Sequence, residues 1–264
     1  MEVHHHPDLH HKPKRWKEYF LEFLMIFLAV TLGFFAENIR ESTSEHNQEV
    51  QYAQALYTEF HNDSIVAANK LSIRIKKLND LDYLNAYLRD SNLNVLSRNF
   101  YPSFTRGLFL MTNYAFQPQD GILNQLISTG SMRYFKEIDL QKLLGEISVC
   151  IKNVRARNDQ EYMFWSDPIK PFLLRHCDFN WLNRIRANNV SANSLDLVNN
   201  YQNSLDNIQG TILNLNSFDR TEASNIVMFL KQILIGTQTL QLHNYIVTNH
   251  KILDELRKDY SLKN

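Results

Sequence analysis

Histidine side chains are concentrated at the N-terminus of this chain, where five of them and one aspartate fall within the first eleven residues. Imidazole nitrogens and a carboxylate are ligands that Zn²⁺, Ni²⁺ and Cu²⁺ accept. The candidate metal ligands are His4, His5, His6, Asp8, His10 and His11. Their spacing matches no closed zinc motif, however, and the tail has too few apolar residues to fix a coordination geometry. The competing interpretation is a tail whose histidines add partial positive charge beside anionic lipid headgroups.

Cys150 and Cys177 are the two cysteines of the chain. In an oxidising compartment they could form a disulfide across the segment that contains Pro168, which would stabilise the fold by about 3 kcal/mol on the chain-entropy model. Two separate buried thiols explain the same sequence equally well. The sequence therefore leaves both states open.

Catalytic signatures are absent from the rest of the sequence. It contains no P-loop, no dinucleotide-binding glycine fingerprint, no Gly-x-Ser-x-Gly elbow and no His-Glu-x-x-His motif. Glu59, His61 and Asp63 form a local polar cluster, but alternate residues of a helix point in different directions, so we interpret them as a solvated face. We predict no catalytic residues, and no cofactor apart from a metal ion at the tail.

The segment 19–36, YFLEFLMIFLAVTLGFFA, is apolar apart from Glu22. As a helix it spans about 27 Å, close to the roughly 30 Å hydrocarbon core of a bilayer. Because it lacks the polar face of an amphipathic surface helix, it predicts a transmembrane helix, with a helix buried in a protein core as the alternative. The residues expected at the membrane interface are Lys12, Lys14, Arg15, Trp16, Lys17 and Tyr19.

Basic residues indicate the orientation of this helix. They crowd its N-terminal side, whereas the twenty residues after Ala36 contain only Arg40. By the positive-inside rule, the tail 1–18 stays in the cytoplasm, and the domain 37–264 lies in the periplasm of a bacterium whose cytoplasmic membrane holds the helix. A cleaved signal peptide is disfavoured, because the bulky Phe34 stands where a cleavage site needs a small residue.

A long amphipathic helix is predicted after the anchor. Apolar residues recur on a seven-residue repeat over 50–88, interrupted by Ser64, Arg74 and Asn85. Such a seam could pack within the chain's own bundle, which we favour, or pair with another chain as a coiled coil. It must in either case be covered by other helices.

Further helices are expected over 138–165, ending before Pro168, and from Asp219 onward, where Glu222 completes a capping pair. A shorter one should end at Gly130. No sustained two-residue alternation indicates a strand. The predicted fold is all-α: a single N-terminal transmembrane helix followed by a mostly antiparallel helical bundle with long helices.

The N-terminal sequence HHHPDLHHKPKRWKEYFLEFLMIFLAVTLGFFAENIRE resembles that of an uncharacterised family of single-pass, membrane-anchored proteins from Bacteroidota with a His-rich start. The segment GILNQLISTGSMRYFKEIDLQKLL is similar to a recurring element of such proteins. The resemblance is close over the anchor and loose over the remainder. It implies location and topology, and it transfers no reaction, cofactor or functional residue.

The balance of basic and acidic residues disfavours one class of function, nucleic-acid binding. Lys plus Arg and Asp plus Glu number 28 each, so no overall basic field holds nucleic acid. We expect a membrane-anchored, non-enzymatic helical domain that acts as a partner-binding scaffold or ligand sensor, with the lipid bilayer and a protein partner or second copy as its partners. The alternative is a metal-binding accessory protein that uses the His cluster, and a third hypothesis is an unrecognised enzyme in the body.

Overall fold

The computed structural model describes residues 15–111, 114–187, 193–260 and 262. The chain divides into two units, Met1–Gln51 and Tyr52–Asn264. Within the described residues every regular element is a helix, and one isolated antiparallel bridge joins Cys177 to Ile212. The prediction of an all-α fold with bundle-like packing is therefore confirmed.

Helix α1, Trp16–Asp90, begins in the first unit. Its N-terminal part is long and apolar enough to cross a membrane, and none of that segment is buried inside the chain. Large apolar side chains there, such as those of Phe23, Val30 and Phe34, are exposed. A core helix would be mostly buried, so the core-helix alternative is wrong. The length and composition fit a membrane anchor, and signal sequences share both properties.

In the second unit, α1 buries every seventh residue of the predicted seam against the chain's own helices. The six buried positions are Ala53, Phe60, Ala67, Arg74, Leu81 and Leu88. Ser64 and Asn85, which also interrupt the apolar repeat, are half-buried. The interpretation of a seam that packs within its own bundle is confirmed, and the one fully buried polar position, Arg74, requires a partner.

Two C-terminal helices, α8 (Arg220–Gly236) and α9 (His243–Tyr260), run antiparallel to α1. Residue numbers rise along α1 as they fall along α9 and α8 in the hydrogen-bonded pairs Tyr57 with Arg257, Asp63 with Tyr245, Asn85 with Ser224 and Leu88 with Arg220. The Asp219 carboxylate accepts hydrogen bonds from the backbone N–H groups of Thr221 and Glu222, so it caps α8 as the sequence predicted.

The remaining helices are α2 (Phe100–Phe104), α3 (Gly121–Thr129), α4 (Ile138–Phe164), α5 (Lys170–His176), α6 (Asn180–Ala187) and α7 (Ser194–Asn203). Helix α3 ends at Gly130, as predicted, with a φ of 68° that a residue with a side chain rarely adopts.

Among the described residues, three π-helical segments continue α2, α4 and α8: Thr105–Phe109, Trp165–Ile169 and Thr237–Leu242. The prediction that α4 stops before Pro168 is only partly right. The α-helix itself ends at Phe164, but the π-helical segment contains the proline and leads directly into α5. A wider π turn accommodates a residue that has no N–H and whose ring clashes with an α-helical carbonyl.

Two hydrophobic clusters fill the second unit. One joins the end of α1 to α2 and α5–α8, and the other joins the region 53–67 of α1 to α3, α4 and α9. Cys177 is buried in the first cluster, Cys150 packs against the second, and both are free thiols. The two cysteines therefore lie in different clusters of this structure, without a bond between them.

Candidate functional site

A buried ion pair lies at the centre of the second unit. Arg74 of α1 and Glu161 of α4 form hydrogen bonds of 2.9 and 3.1 Å, and both side chains are 2% exposed. The Thr237 hydroxyl donates a further hydrogen bond to Glu161 Oε1. Water does not reach these charges, so each depends on its partners for the stabilisation that solvent would otherwise supply.

Lys77 lies one turn further along α1 and is also buried. Its ammonium group donates hydrogen bonds to the backbone carbonyls of Arg106, at 2.9 Å, and Leu110, at 3.3 Å, and it stands 4.4 Å from the ring centre of Tyr114. Burial lowers the pKa of Lys77 from 10.5 to about 7, and the neighbouring Glu161 opposes this shift. Near neutral pH, Lys77 is therefore divided between its charged and neutral forms.

Arg106 joins three elements. It donates from Nε and Nη2 to the two carboxylate oxygens of Asp80, both at 2.7 Å, and from Nη1 to Gln202 Oε1 at 2.8 Å. These bonds tie α1 and α7 to the π-helical segment Thr105–Phe109. A paired, planar contact of this kind fixes the geometry of the surface around it.

A cleft opens between these three elements. Its inner hollow, of about 60 Å³, and its outer hollow, of about 450 Å³, share Lys76, Arg106 and Asn199. The inner hollow is completed by Ile73, Lys77, Leu110, Tyr114 and Leu195. The outer hollow is completed by Asn79, Asp80, Gln202 and Asn203. The cleft thus has a mainly apolar inner end and a polar, net basic mouth.

Each of the three π-helical segments in the described part of the chain supplies a side chain to the contacts of this region. One supplies Arg106, one supplies Thr237, and the third supplies Trp165, whose indole N–H donates to the Leu108 carbonyl. π-Helical turns shift the direction of the side chains that follow, and they are frequent at functional sites. Gly107 lets its segment approach α1, since a Cβ atom there would lie 3.0 Å from Leu84 Cδ1.

The prediction of a solvated face is wrong for two of the three clustered residues, because Asp63 is buried, Glu59 is half-buried, and both accept hydrogen bonds. The Asp63 carboxylate accepts hydrogen bonds from the Gln119 N–H at 2.8 Å and the Tyr245 hydroxyl at 2.6 Å, and Glu59 accepts one from Ile122 N–H at 3.1 Å. Both acids therefore hold the start of α3. Burial raises the pKa of each carboxyl group.

The predicted metal ligands His4, His5, His6, Asp8, His10 and His11, together with Lys12 and Lys14, lie outside the described residues. The other expected interface residues, Arg15, Trp16, Lys17 and Tyr19, are exposed at the start of α1. Across the part of the chain that the structure describes, no three His, Cys, Asp or Glu side chains are grouped closely enough to hold a metal ion.

Comparisons with known proteins add no assignment. No family model, curated protein or solved structure matches the chain. The functional reading therefore depends on the chain's own residues. Sequence reasoning missed Lys77 and Arg106 and noted Arg74 only as an interruption, although a basic residue in an otherwise apolar seam is itself a signal of a buried acidic partner.

Proposed function

We propose that this protein is a single-pass, membrane-anchored helical domain that binds a ligand or partner outside the cytoplasm and has no catalytic role. The observation that carries the proposal is the exposed apolar stretch of α1, which has no cover within the described chain while the rest of that helix buries one face. Side chains such as those of Phe27 and Val30 would be buried against the acyl chains of the lipid.

The binding role is supported by the cleft. Two of its charged residues, Arg106 and Asp80, are already joined in a structural ion pair, so they shape the surface of the cleft.

The basic residues before the anchor support a cytoplasmic N-terminus and a periplasmic body at a bacterial cytoplasmic membrane, in agreement with the resemblance to the anchored Bacteroidota family.

Membrane extraction tests the anchor. We expect the full chain to stay in the membrane fraction at alkaline pH, and the double variant Phe27→Arg and Val30→Arg to be lost from it, because a charge at the helix centre costs roughly 2.5–3.5 kcal/mol. Leu205→Arg is the matched control, since Leu205 is a fully exposed apolar residue far along the chain. Release of the unaltered chain, or equal loss of the control, would refute the anchor.

Cysteine labelling tests the orientation. Leu205→Cys in a Cys150→Ser background presents one accessible thiol, because Cys177 is buried. We expect a membrane-impermeant maleimide to label it once the outer membrane is opened. Labelling only after lysis would place the body in the cytoplasm.

A further inference from the structure

We propose that the cleft between α1, Thr105–Phe109 and α7 binds a small organic carboxylate with a short apolar tail; this inference rests on the proposed binding function and names the ligand class. The carboxylate would lie at the mouth near Lys76, and the tail would enter the inner hollow beside Tyr114 and Leu195.

The first argument is charge. Three basic residues, Lys76, Lys77 and Arg106, and one acid, Asp80, line the two hollows. Arg106 and Asp80 offset each other through their paired contact. Lys76 is exposed, and no hydrogen bond or ion pair joins it to another described residue. The mouth of the cleft therefore has positive charge left for an anion.

The second argument concerns how many cationic groups at the mouth of the cleft are still available to an anion. The Arg106 guanidinium donates three of its five N–H groups to Asp80 and Gln202, and the Asp80 carboxylate compensates its charge. Lys77 is committed to two backbone carbonyls. One uncommitted positive charge matches a monoanion, whereas phosphate groups, which carry up to two negative charges, are usually held by several cationic side chains together. This favours a carboxylate over a phosphate.

The third argument is the pattern of polar and apolar groups. Because Gln202 Oε1 accepts a hydrogen bond from Arg106, its amide nitrogen is left as a donor at the mouth. Asn79, Asn199 and Asn203 add further amide groups there. The inner hollow offers Ile73, Leu110 and Leu195. Donors at the mouth and apolar walls behind it suit a carboxylate with a few carbon atoms attached.

Calorimetric titration of the full chain in mild detergent tests the inference, with sodium pentanoate as the probe. We expect pentanoate to bind with a dissociation constant of about 1 mM or tighter, and acetate, pentanamide and inorganic phosphate to bind at least tenfold more weakly. Acetate lacks the tail and pentanamide lacks the charge, so the pair separates the two contributions.

Two variants locate the binding. Lys76→Met should weaken pentanoate binding about tenfold, and Leu195→Asp, which places a carboxylate in the inner hollow, should abolish it. Lys152→Met removes an exposed lysine of α4 outside the cleft and should change nothing. Circular dichroism of each variant confirms that it is folded.

The carboxylate assignment is overturned if pentanoate does not bind, or if phosphate binds more tightly than pentanoate. It is also overturned if Lys76→Met and Lys152→Met weaken pentanoate binding equally. These failures are distinguishable from failure of the proposed function. A chain that remains anchored but binds no carboxylate refutes only the ligand class, whereas a chain released from the membrane refutes the anchored domain itself.

Discussion

Arg74 and Glu161, which are 87 residues apart in the sequence, form an ion pair that is joined by three hydrogen bonds and closed to solvent. The pair joins α1 to α4, and Thr237 joins both to the start of the third π-helical segment. A buried pair of this kind contributes less to stability than its geometry suggests, because both charges lose their hydration. Replacing only one of the two residues nevertheless destabilises the fold, because the other charge stays buried without a counterion.

We expect Glu161→Gln to lower the free energy of unfolding by about 3–5 kcal/mol, since Arg74 would keep a buried charge without a counterion. Urea unfolding of the detergent-solubilised chain measures the change. The double variant Arg74→Met with Glu161→Leu is the control, and it should recover most of the loss because no charge remains buried. A double variant as unstable as Glu161→Gln would contradict this account.

The lowered pKa of Lys77 predicts how the free energy of unfolding depends on pH. Its pKa is lowered from 10.5 to about 7 in the folded chain, so the unfolded chain binds more protons between these values. The free energy of unfolding therefore rises with pH from about 7 to about 10.5, by at most about 1.4 kcal/mol per pH unit from this group. Below pH 7 the burial of the charged form opposes folding.

The comparison with Lys77→Met isolates that effect. Unfolding free energies measured at pH 6.5 and pH 9.5 should show the unaltered chain gaining on the variant as pH rises, since methionine does not titrate. The same comparison with Lys152→Met, an exposed site, should give no such difference. Parallel pH profiles for the unaltered chain and Lys77→Met would show that Lys77 remains protonated throughout.

Asp63 is predicted to hold the start of α3. Asp63→Ala leaves the Gln119 N–H and the Tyr245 hydroxyl without their acceptor, which should cost about 2 kcal/mol or more of stability. Hydrogen exchange should also become faster at the amides of Gln119 and Ile122. Asp159→Ala, at an exposed position of α4, should leave both measurements unchanged.

The two cysteines are predicted to stay unpaired and to differ in reactivity. Burial raises the pKa of the Cys177 thiol to about 12, so it should resist alkylation at neutral pH in the folded chain. Cys150 is only half-buried and should react first. Mass spectrometry after unfolding without reductant should find two alkylated thiols; a chain with none would establish the disulfide.

Metal binding is predicted to depend on the N-terminal tail. The described residues hold no group of three or more metal-ligating side chains, which leaves the six tail ligands as the candidates. Deletion of residues 4–11 should therefore abolish zinc or nickel binding, measured by equilibrium dialysis. Unchanged affinity would refute the alternative in which the tail binds metal, and the metal ligands would then have to lie elsewhere in the chain.

Local sequence patterns were sufficient to predict four features. Periodicity gave the helical class and the heptad seam of α1, and single residues gave the capping of α8 by Asp219 and the end of α3 at Gly130. These features depend on residues close in sequence, where the 3.6-residue repeat and the backbone conformations of single residues decide the outcome. The apolar segment at the start of α1 is of the same kind. The passage of the helix through Pro168 was not predictable locally, because a π turn needs support from neighbouring helices.

The polar interior was decided by the tertiary structure alone. Arg74 appeared in the sequence as a flaw in an apolar repeat, and Asp63 as part of a solvated face, because their partners Glu161 and Tyr245 lie on helices 87 and 182 residues away. The cleft has the same origin, since α1 and α7 meet there through Arg106. Spacing along the chain reports which face of a helix a residue occupies, but only packing decides which charges that face meets.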